Sequence, residues 1–276
     1  MFLNPFIQNI YQGIKTRLQH PRKKGLAQLS LGWLQVKYLK HLPPGKIRTL
    51  RLWGRPFYYE APQELLHGLQ EIFVDEVYKQ SFRPGARIID CGANVGLSVL
   101  YFKQKCPSST ILAFEPDPAN FSLLEKNIAS YQLTGIQVEK LAVWKERTLL
   151  SFHAQQGMAS SLSESTTANT LQVSTARLQD YLQDPVDFLK LDIEGAEWDV
   201  LKDCATSLGK VKNIFVEYHG AYAAQEKLTT ILSILQEAGF HYYIREAAPL
   251  QLHPYQQKNT KHPYDIQLNI FGFRNG

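Results

Sequence analysis

From residue 87 onward, short apolar runs alternate with segments whose apolar residues recur every three or four positions. The runs at 87–91, 110–115, 136–140, 186–191, 211–218, 240–244 and 265–271 read as strands, and the nearly continuous one at 186–191 is apolar enough to be buried on both faces. Residues 97–105, a segment opened by Pro118 with Phe121, Leu124 and Ile128 on one side, and residues 226–238 carry the helical period. Strands and helices in alternation predict an α/β fold. A small extra strand is expected at 149–152, and a short helix against the sheet at 177–182. Residues 155–170, rich in Ser, Thr, Ala and Gln, have little apolar surface to offset the entropy of ordering. A loop is expected there, either plainly exposed or forming an acceptor-side lid with Met158 and Ser160.

The front of the chain follows a different pattern, which divides it into a helical and hairpin extension (1–82) and a catalytic domain (83–276). Phe2, Phe6, Ile7, Ile10, Tyr11, Ile14 and Leu18 recur at helical spacing, with Lys15, Arg17, Arg22, Lys23 and Lys24 adding positive charge and Pro21 interrupting. Such a helix docks on the catalytic domain or on a second subunit of a homo-oligomer, or lies on an anionic membrane as a peripheral contact; docking on protein is expected. A second helical segment at 25–41 stops before Pro43, Pro44 and Gly45. Alternation at 47–52, a turn at Gly54 and the aromatic residues Phe57, Tyr58 and Tyr59 predict a hairpin, and the spacing of Leu65, Leu69, Ile72, Phe73 and Val77 predicts a helix over 62–82.

Candidate chemistry gathers where the strands end. Ile88, Ile89 and Asp90 lead into Cys91, Gly92, Ala93, Asn94, Val95 and Gly96, and the next apolar run ends at Glu115. A strand, a glycine-bearing turn and a second strand ending in an acid is how an open α/β sheet holds a nucleoside, with the acid accepting from the ribose hydroxyls. Asp90 at the strand end would repel a pyrophosphate and attract a cation. The expected cofactor is therefore S-adenosyl-L-methionine, with its sulfonium and ammonium groups, in preference to a nicotinamide dinucleotide. Gly92 and Gly96 admit close backbone approach, Asn94 offers an amide, and Glu115 bridges the ribose hydroxyls. Leu141, Ala142 and Val143 border the adenine, and Trp144 is either an apolar wall beside them or a core aromatic. Asn120 and Asn127 are cofactor contacts, helix caps or surface amides.

The residues from Asp90 to Gly96, Phe114 with Glu115 and Pro116, Asn127, Leu141 with Ala142 and Val143, and the run Leu189, Lys190, Leu191, Asp192, Ile193, Glu194, Gly195, Ala196 and Glu197 together resemble the FkbM-type methyltransferases of the class I fold. The resemblance extends from about residue 70 to 240. It implies a Rossmann-like sheet of seven mainly parallel strands with the final one antiparallel. It also implies S-adenosylmethionine-dependent O-methylation, most often on a sugar or another secondary metabolite. In that family the stretch ahead of the first sheet strand covers one side of the cofactor pocket, which makes Tyr78 either a contact for the methionine portion or a buried tyrosine with a local hydrogen bond.

Asp90, Glu115, Asp192, Glu194 and His219 all fall at strand ends, where ligand-binding groups of such sheets collect. His219 is the preferred proton acceptor, because a neutral imidazole takes a proton near pH 7. Glu217 shares its side of the strand and orients the acceptor or the ring. Asp192 and Glu194 bind acceptor hydroxyls, receive a proton, or join His219 around a divalent metal; their spacing is not a specific metal signature, so metal dependence stays open. Lys190 and Glu197 are expected as structural partners.

Composition narrows the partners. The net charge of +5 comes from scattered basic residues, so a small-molecule or glycan acceptor is expected and nucleic acid is not. Three dispersed cysteines form no metal or disulfide framework, which fits a reducing, cytoplasmic setting. No apolar run reaches transmembrane length, and no secretory leader is recognisable. The expected function is O-methylation of a carbohydrate or glycosylated metabolite. A small-molecule N-methyltransferase and a noncatalytic S-adenosylmethionine-binding protein are the alternatives.

Overall fold

Five adjacent parallel strands run from one edge of a seven-stranded sheet in the computed structural model, which describes residues 25–153, 161–163, 171–250, 253–256 and 263–274. Ahead of the sheet come α1 (Trp33–Lys40), the hairpin β1 (Arg48–Leu52) and β2 (Arg55–Tyr59), and α2 (Pro62–Gly68). Then follow β3 (Arg87–Cys91), α3 (Leu97–Lys105), β4 (Thr110–Phe114), α4 (Pro118–Ser130) and β5 (Ile136–Glu139). A second group comprises β6 (Ala142–Trp144), β7 (Leu149–His153), β8 (Ser161–Ser163) and β9 (Leu171–Arg177). The chain re-enters the main sheet through β10 (Val186–Leu191), α5 (Glu197–Cys204), β11 (Val211–Gly220), α6 (Gln225–Glu237), β12 (His241–Glu246) and β13 (Ile266–Phe273).

The strand order is β12-β13-β11-β10-β3-β4-β5, with β13 antiparallel to both its neighbours. This is the α/β class I methyltransferase arrangement, its final strand reversed. Because β3 lies between β4 and β10, the chain direction across the sheet switches there and leaves a crevice beyond the carboxyl ends. Both faces are covered, as an apolar parallel core requires. One apolar cluster joins Phe102, Phe188 and Phe215 to Leu50, Leu52 and Phe57 of the hairpin; the other joins Leu189 and Val216 to Val200, Leu201, Ile231 and Leu235 of α5 and α6. Asp117 caps α4, accepting from the backbone N–H groups of Ala119 and Asn120, with Pro118 at the first helical position where its missing N–H costs nothing.

The described part of the front segment is built onto this sheet. Asn127 of α4, buried, accepts from Tyr58 N (2.7 Å) and donates to Tyr58 O (2.9 Å) and Val95 O (2.8 Å), joining the hairpin to the turn after β3. The helix expected over 62–82 ends at Gly68 and passes into a π-helical turn, Leu69–Val74. The wider turn keeps Leu69, Ile72 and Val74 buried while Glu71 reaches the crevice.

A second departure lies between β5 and β10. The strand expected at 149–152 is β7, but it belongs to a four-stranded sheet, β6-β9-β7-β8, and the segment expected as a loop contains β8. Polar β-branched residues support this sheet: Thr175, buried, donates to Glu146 O and accepts from Thr148 N. The helix expected at 177–182 is a single 3-10 turn, Leu178–Tyr181. The amphipathic helix expected in residues 1–20, and Met158 and Ser160, lie outside the described residues. Among the described residues no helix is long and apolar enough to cross a membrane.

Candidate active site

A cavity of about 410 Å³ opens beyond the ends of β4, β3, β10 and β11, roofed by Tyr59, Glu64, His67 and Glu71 of the front segment. At the β4 end stands Glu115, whose Oε1 accepts from Asp117 N (2.9 Å) and Oε2 from Asn94 N (2.8 Å). Burial pushes its carboxyl up to about 7, against the pull of those two backbone donors. The cavity wall beside it is formed by Leu141, Ala142 and Val143, an apolar surface suited to a purine, while Trp144 is a buried core aromatic. Asn120 lines the cavity near Glu115.

The glycine turn divides between ligand and packing. Gly92 lines the cavity with a φ of +85°, and a Cβ there would fall 1.9 Å from the Asp192 carbonyl oxygen, so no side chain fits. Gly96 was expected at the cofactor, but it packs away from the wall, where a Cβ would stand 2.7 Å from Leu124 Cδ1 of α4. Asn94 lines the cavity, yet its side-chain oxygen turns back to accept from Val95 N (2.6 Å), so its outward contribution is the N–H that holds Glu115.

Asp90 corrects a second expectation. It is fully buried beneath the cavity, accepts from Ser98 Oγ (2.6 Å) and pairs with Lys190 Nζ (3.3 Å), so the charge meant for a cofactor cation is taken by the protein. Lys190 also donates to Gly92 O (2.8 Å) and pairs with Asp192 (3.1 Å). Burial alone would lower its pKa, but Asp192 and Asp90 hold it well above the ordinary lysine value. A structural partner was expected at Lys190; it also forms part of the cavity floor. Tyr78 reaches the cavity from the aromatic core, packed edge-on to Phe215 (5.0 Å) and beside Phe102.

At the β11 end Asp192, Glu194, Glu217 and Glu71 face the cavity, whereas His219 sits behind them. His219 Nδ1 lies 3.2 Å from Glu197 Oε1 and Nε2 lies 3.6 Å from Glu194 Oε2. Burial alone would lower the imidazole pKa; the hydrogen bond and charge of Glu197, with Glu194 and Asp192, outweigh it and push it up to about 10. These carboxylates favour the protonated ring, and His219 does not line the cavity, in contrast to the neutral, acceptor-facing imidazole expected from the sequence. Glu197 also accepts from Ile193 N and Gly195 N, fixing the turn on which Glu194 adopts a φ of +56°. Burial pushes the Glu194 carboxyl up to about 8, with the His219 charge pulling the other way. Asp192, Glu194 and His219 offer ligand atoms within 4.8 Å of one another. Lys190 on Asp192 and the imidazolium on Glu194 already supply positive charge there, and no metal is assigned.

This arrangement falls inside residues 90–242, which match the model of the methyltransferase FkbM domain. The chain belongs to the FkbM methyltransferase family. It is 34% identical over 166 residues to "Methyltransferase 1" of Beauveria bassiana, covering 50% of this chain and 66% of that protein, so it spans just under two thirds of that relative. It is 30% identical over 187 residues to "Methyltransferase sdnD" of Sordaria araneosa, covering 54% of this chain and 72% of that protein. It is 24% identical over 210 residues to the "31-O-demethyl-FK506 methyltransferase FkbM" of Streptomyces tacrolimicus, covering 62% of this chain and 80% of that protein. Two residues of this FkbM chain were not singled out from sequence: Glu71 in the cavity roof, and Gln267, buried behind Glu217. Glu71 accepts from Asn269 Nδ2 (3.1 Å) and is raised by burial; Gln267 donates to Glu217 Oε1 (2.6 Å). Gln267 and Asn269 alternate on β13, opposite His219 and Glu217, and that register was the one available signal.

Proposed function

We propose that this chain is an S-adenosylmethionine-dependent O-methyltransferase acting on a hydroxyl of a carbohydrate or glycosylated metabolite. The observation that carries the reading is the carboxyl-rich lining of the cavity. Glu60, Glu64, Glu71, Glu115, Asp117, Asp192, Glu194 and Glu217 line it, with Lys190 the one lysine or arginine among the described lining residues. Such a lining accepts hydrogen bonds from an ammonium and offers little to an anionic ligand, even though burial raises the pKa of Glu71, Glu115, Glu194 and Glu217. Its carboxyl groups also suit a hydroxyl-rich acceptor, because they accept hydrogen bonds from hydroxyls. The relative named for 31-O-demethyl-FK506 is consistent with oxygen as the acceptor atom.

Bound there, the cofactor supplies an electrophilic methyl group on sulfur. Glu115 holds the ribose, Ala142 and its neighbours border the base, and the carboxyl groups at the β11 end orient the acceptor for in-line attack. A screen of hydroxyl-bearing and amine-bearing acceptors with methyl-labelled S-adenosylmethionine tests the reading, the product mass and methylated position being read directly. Label on a sugar hydroxyl is expected. Label confined to amines, or cofactor binding without transfer to any acceptor, would refute it.

A further inference from the structure

We propose that Glu217 is the group that takes the acceptor's proton, with Gln267 as its positioning residue; this deepens the O-methyltransferase reading and rests on it. The argument begins with the order of the strand ends. Glu115 follows β4 and Glu217 lies on β11, with β3 and β10 between, so three strand spacings of about 4.8 Å place them roughly 14 Å apart across the cavity. A nucleoside held at Glu115 extends toward Glu217, and an acceptor enters from the β11 side.

Four carboxyl groups face that side, and they differ in what holds them and where they stand. Asp192 is paired with Lys190 at 3.1 Å. Glu194 faces the His219 cation at 3.6 Å from a turn, and Glu71 accepts from Asn269. Glu217 stands one residue past the last β10 partner of β11 (Leu191 opposite Val216), where β10 falls away and opens the cavity, and it is held from the other side by its pairing with Asn269 of β13. Gln267 Nε2 fixes its Oε1 at 2.6 Å, and the same amide nitrogen lies 3.3 Å from His219 Nε2. His219 itself is 3.9 Å from Glu217, longer than the pair on Asp192.

Burial first, then the charges of Asp192 and Glu71, raise the Glu217 carboxyl well above the usual carboxylate range, while His219 and the Gln267 hydrogen bond pull it down. A carboxylate raised in this way is a stronger base than a solvated one. The step balances without a further reagent. The acceptor's O–H bond breaks and its proton passes to a Glu217 oxygen; an oxygen electron pair forms the bond to the methyl carbon, and the carbon–sulfur pair leaves with sulfur as a neutral thioether.

The test is Glu217→Gln, which keeps a carbonyl oxygen for Gln267 and nearly the same volume. Calorimetry should show S-adenosylhomocysteine binding within about threefold of wild type, because Glu115 and the purine wall are untouched. With saturating hydroxyl acceptor, kcat should fall roughly 10²- to 10⁴-fold, the range for loss of a general base. In wild type kcat should rise with pH as Glu217 ionises, and this limb should vanish in the variant. Infrared difference titration should show one carboxylic-acid band in wild type that the variant lacks. Turnover of Glu217→Gln within a few-fold of wild type, or an unchanged acid limb, overturns the assignment while leaving O-methylation standing. A wild-type enzyme that methylates no hydroxyl overturns the functional reading and this assignment with it.

Discussion

Replacing Glu115 with Ala should weaken cofactor binding by an amount that can be worked from its contacts. Each carboxylate oxygen already accepts one backbone N–H, from Asp117 and Asn94, and its remaining capacity faces the cavity. A ribose diol donates to it through charge-assisted hydrogen bonds, together about 1.5 to 3 kcal/mol. At 1.4 kcal/mol per decade, the Kd for S-adenosylhomocysteine should rise roughly 10- to 150-fold. The substitution also strips two backbone donors of their acceptor, which lowers stability by about 1 to 3 kcal/mol and must be read separately as a shift in Tm. Calorimetry with S-adenosylhomocysteine and its 2′-deoxy analogue, on wild type and variant, closes a double-mutant cycle. The analogue should lose affinity for wild type and little for Glu115→Ala. Equal losses on both proteins, or an unchanged Kd in a folded variant, would refute the ribose assignment.

Three further outcomes follow from the same geometry. Cofactor affinity should increase as pH rises through about 7, since Glu115 below that value is protonated and a weaker acceptor for two hydroxyls; a flat wild-type calorimetric profile, or a pH dependence that persists in Glu115→Gln, would count against this. Gly92→Ala should destabilise the fold by about 2 to 5 kcal/mol, because a methyl collides with the Asp192 carbonyl and the backbone is left-handed; an unchanged urea midpoint would contradict it. Lys190→Met should cost about 3 to 5 kcal/mol in urea unfolding by leaving the fully buried Asp90 without its cation, and recovery by Asp90→Asn in the same protein would show that the charge is responsible.

The sheet was legible because parallel strands buried on both faces must be short continuous apolar runs, and 186–191 could hardly be anything else. Glu115 was legible for a related reason: an acid directly after a buried strand lies in the crevice. Asp90 occupies the same kind of position and misled, since strand spacing does not reveal that Lys190, one hundred residues later, rises between it and the cavity. His219 misled through its company. Its residue type promised a titration near neutrality, but Glu197 and Glu194 reach it from the turn before α5, a meeting that depends on tertiary structure. Glu71 was hidden by a helical period that gave no sign of a π-helical turn. The sheet from β6 to β9 was obscured because β6 and β8 are only three residues long and β8, Ser161–Ser163, sits in a Ser- and Thr-rich stretch that composition alone marks as a loop.

Asn127 bears on how this chain can be cut. One amide clasps the hairpin at Tyr58 and the turn after β3 at Val95, so removing residues up to 82 would leave its oxygen and one of its N–H groups facing an emptied seam, with only the bond to Val95 kept. A fragment starting at the first sheet strand would keep Glu115 and the apolar wall at Ala142 while losing Tyr78, the cavity roof and the brace that sets their spacing. Exchange of the front segment between relatives must therefore carry the hairpin and the residue at 127 together, as a lock travels with its key.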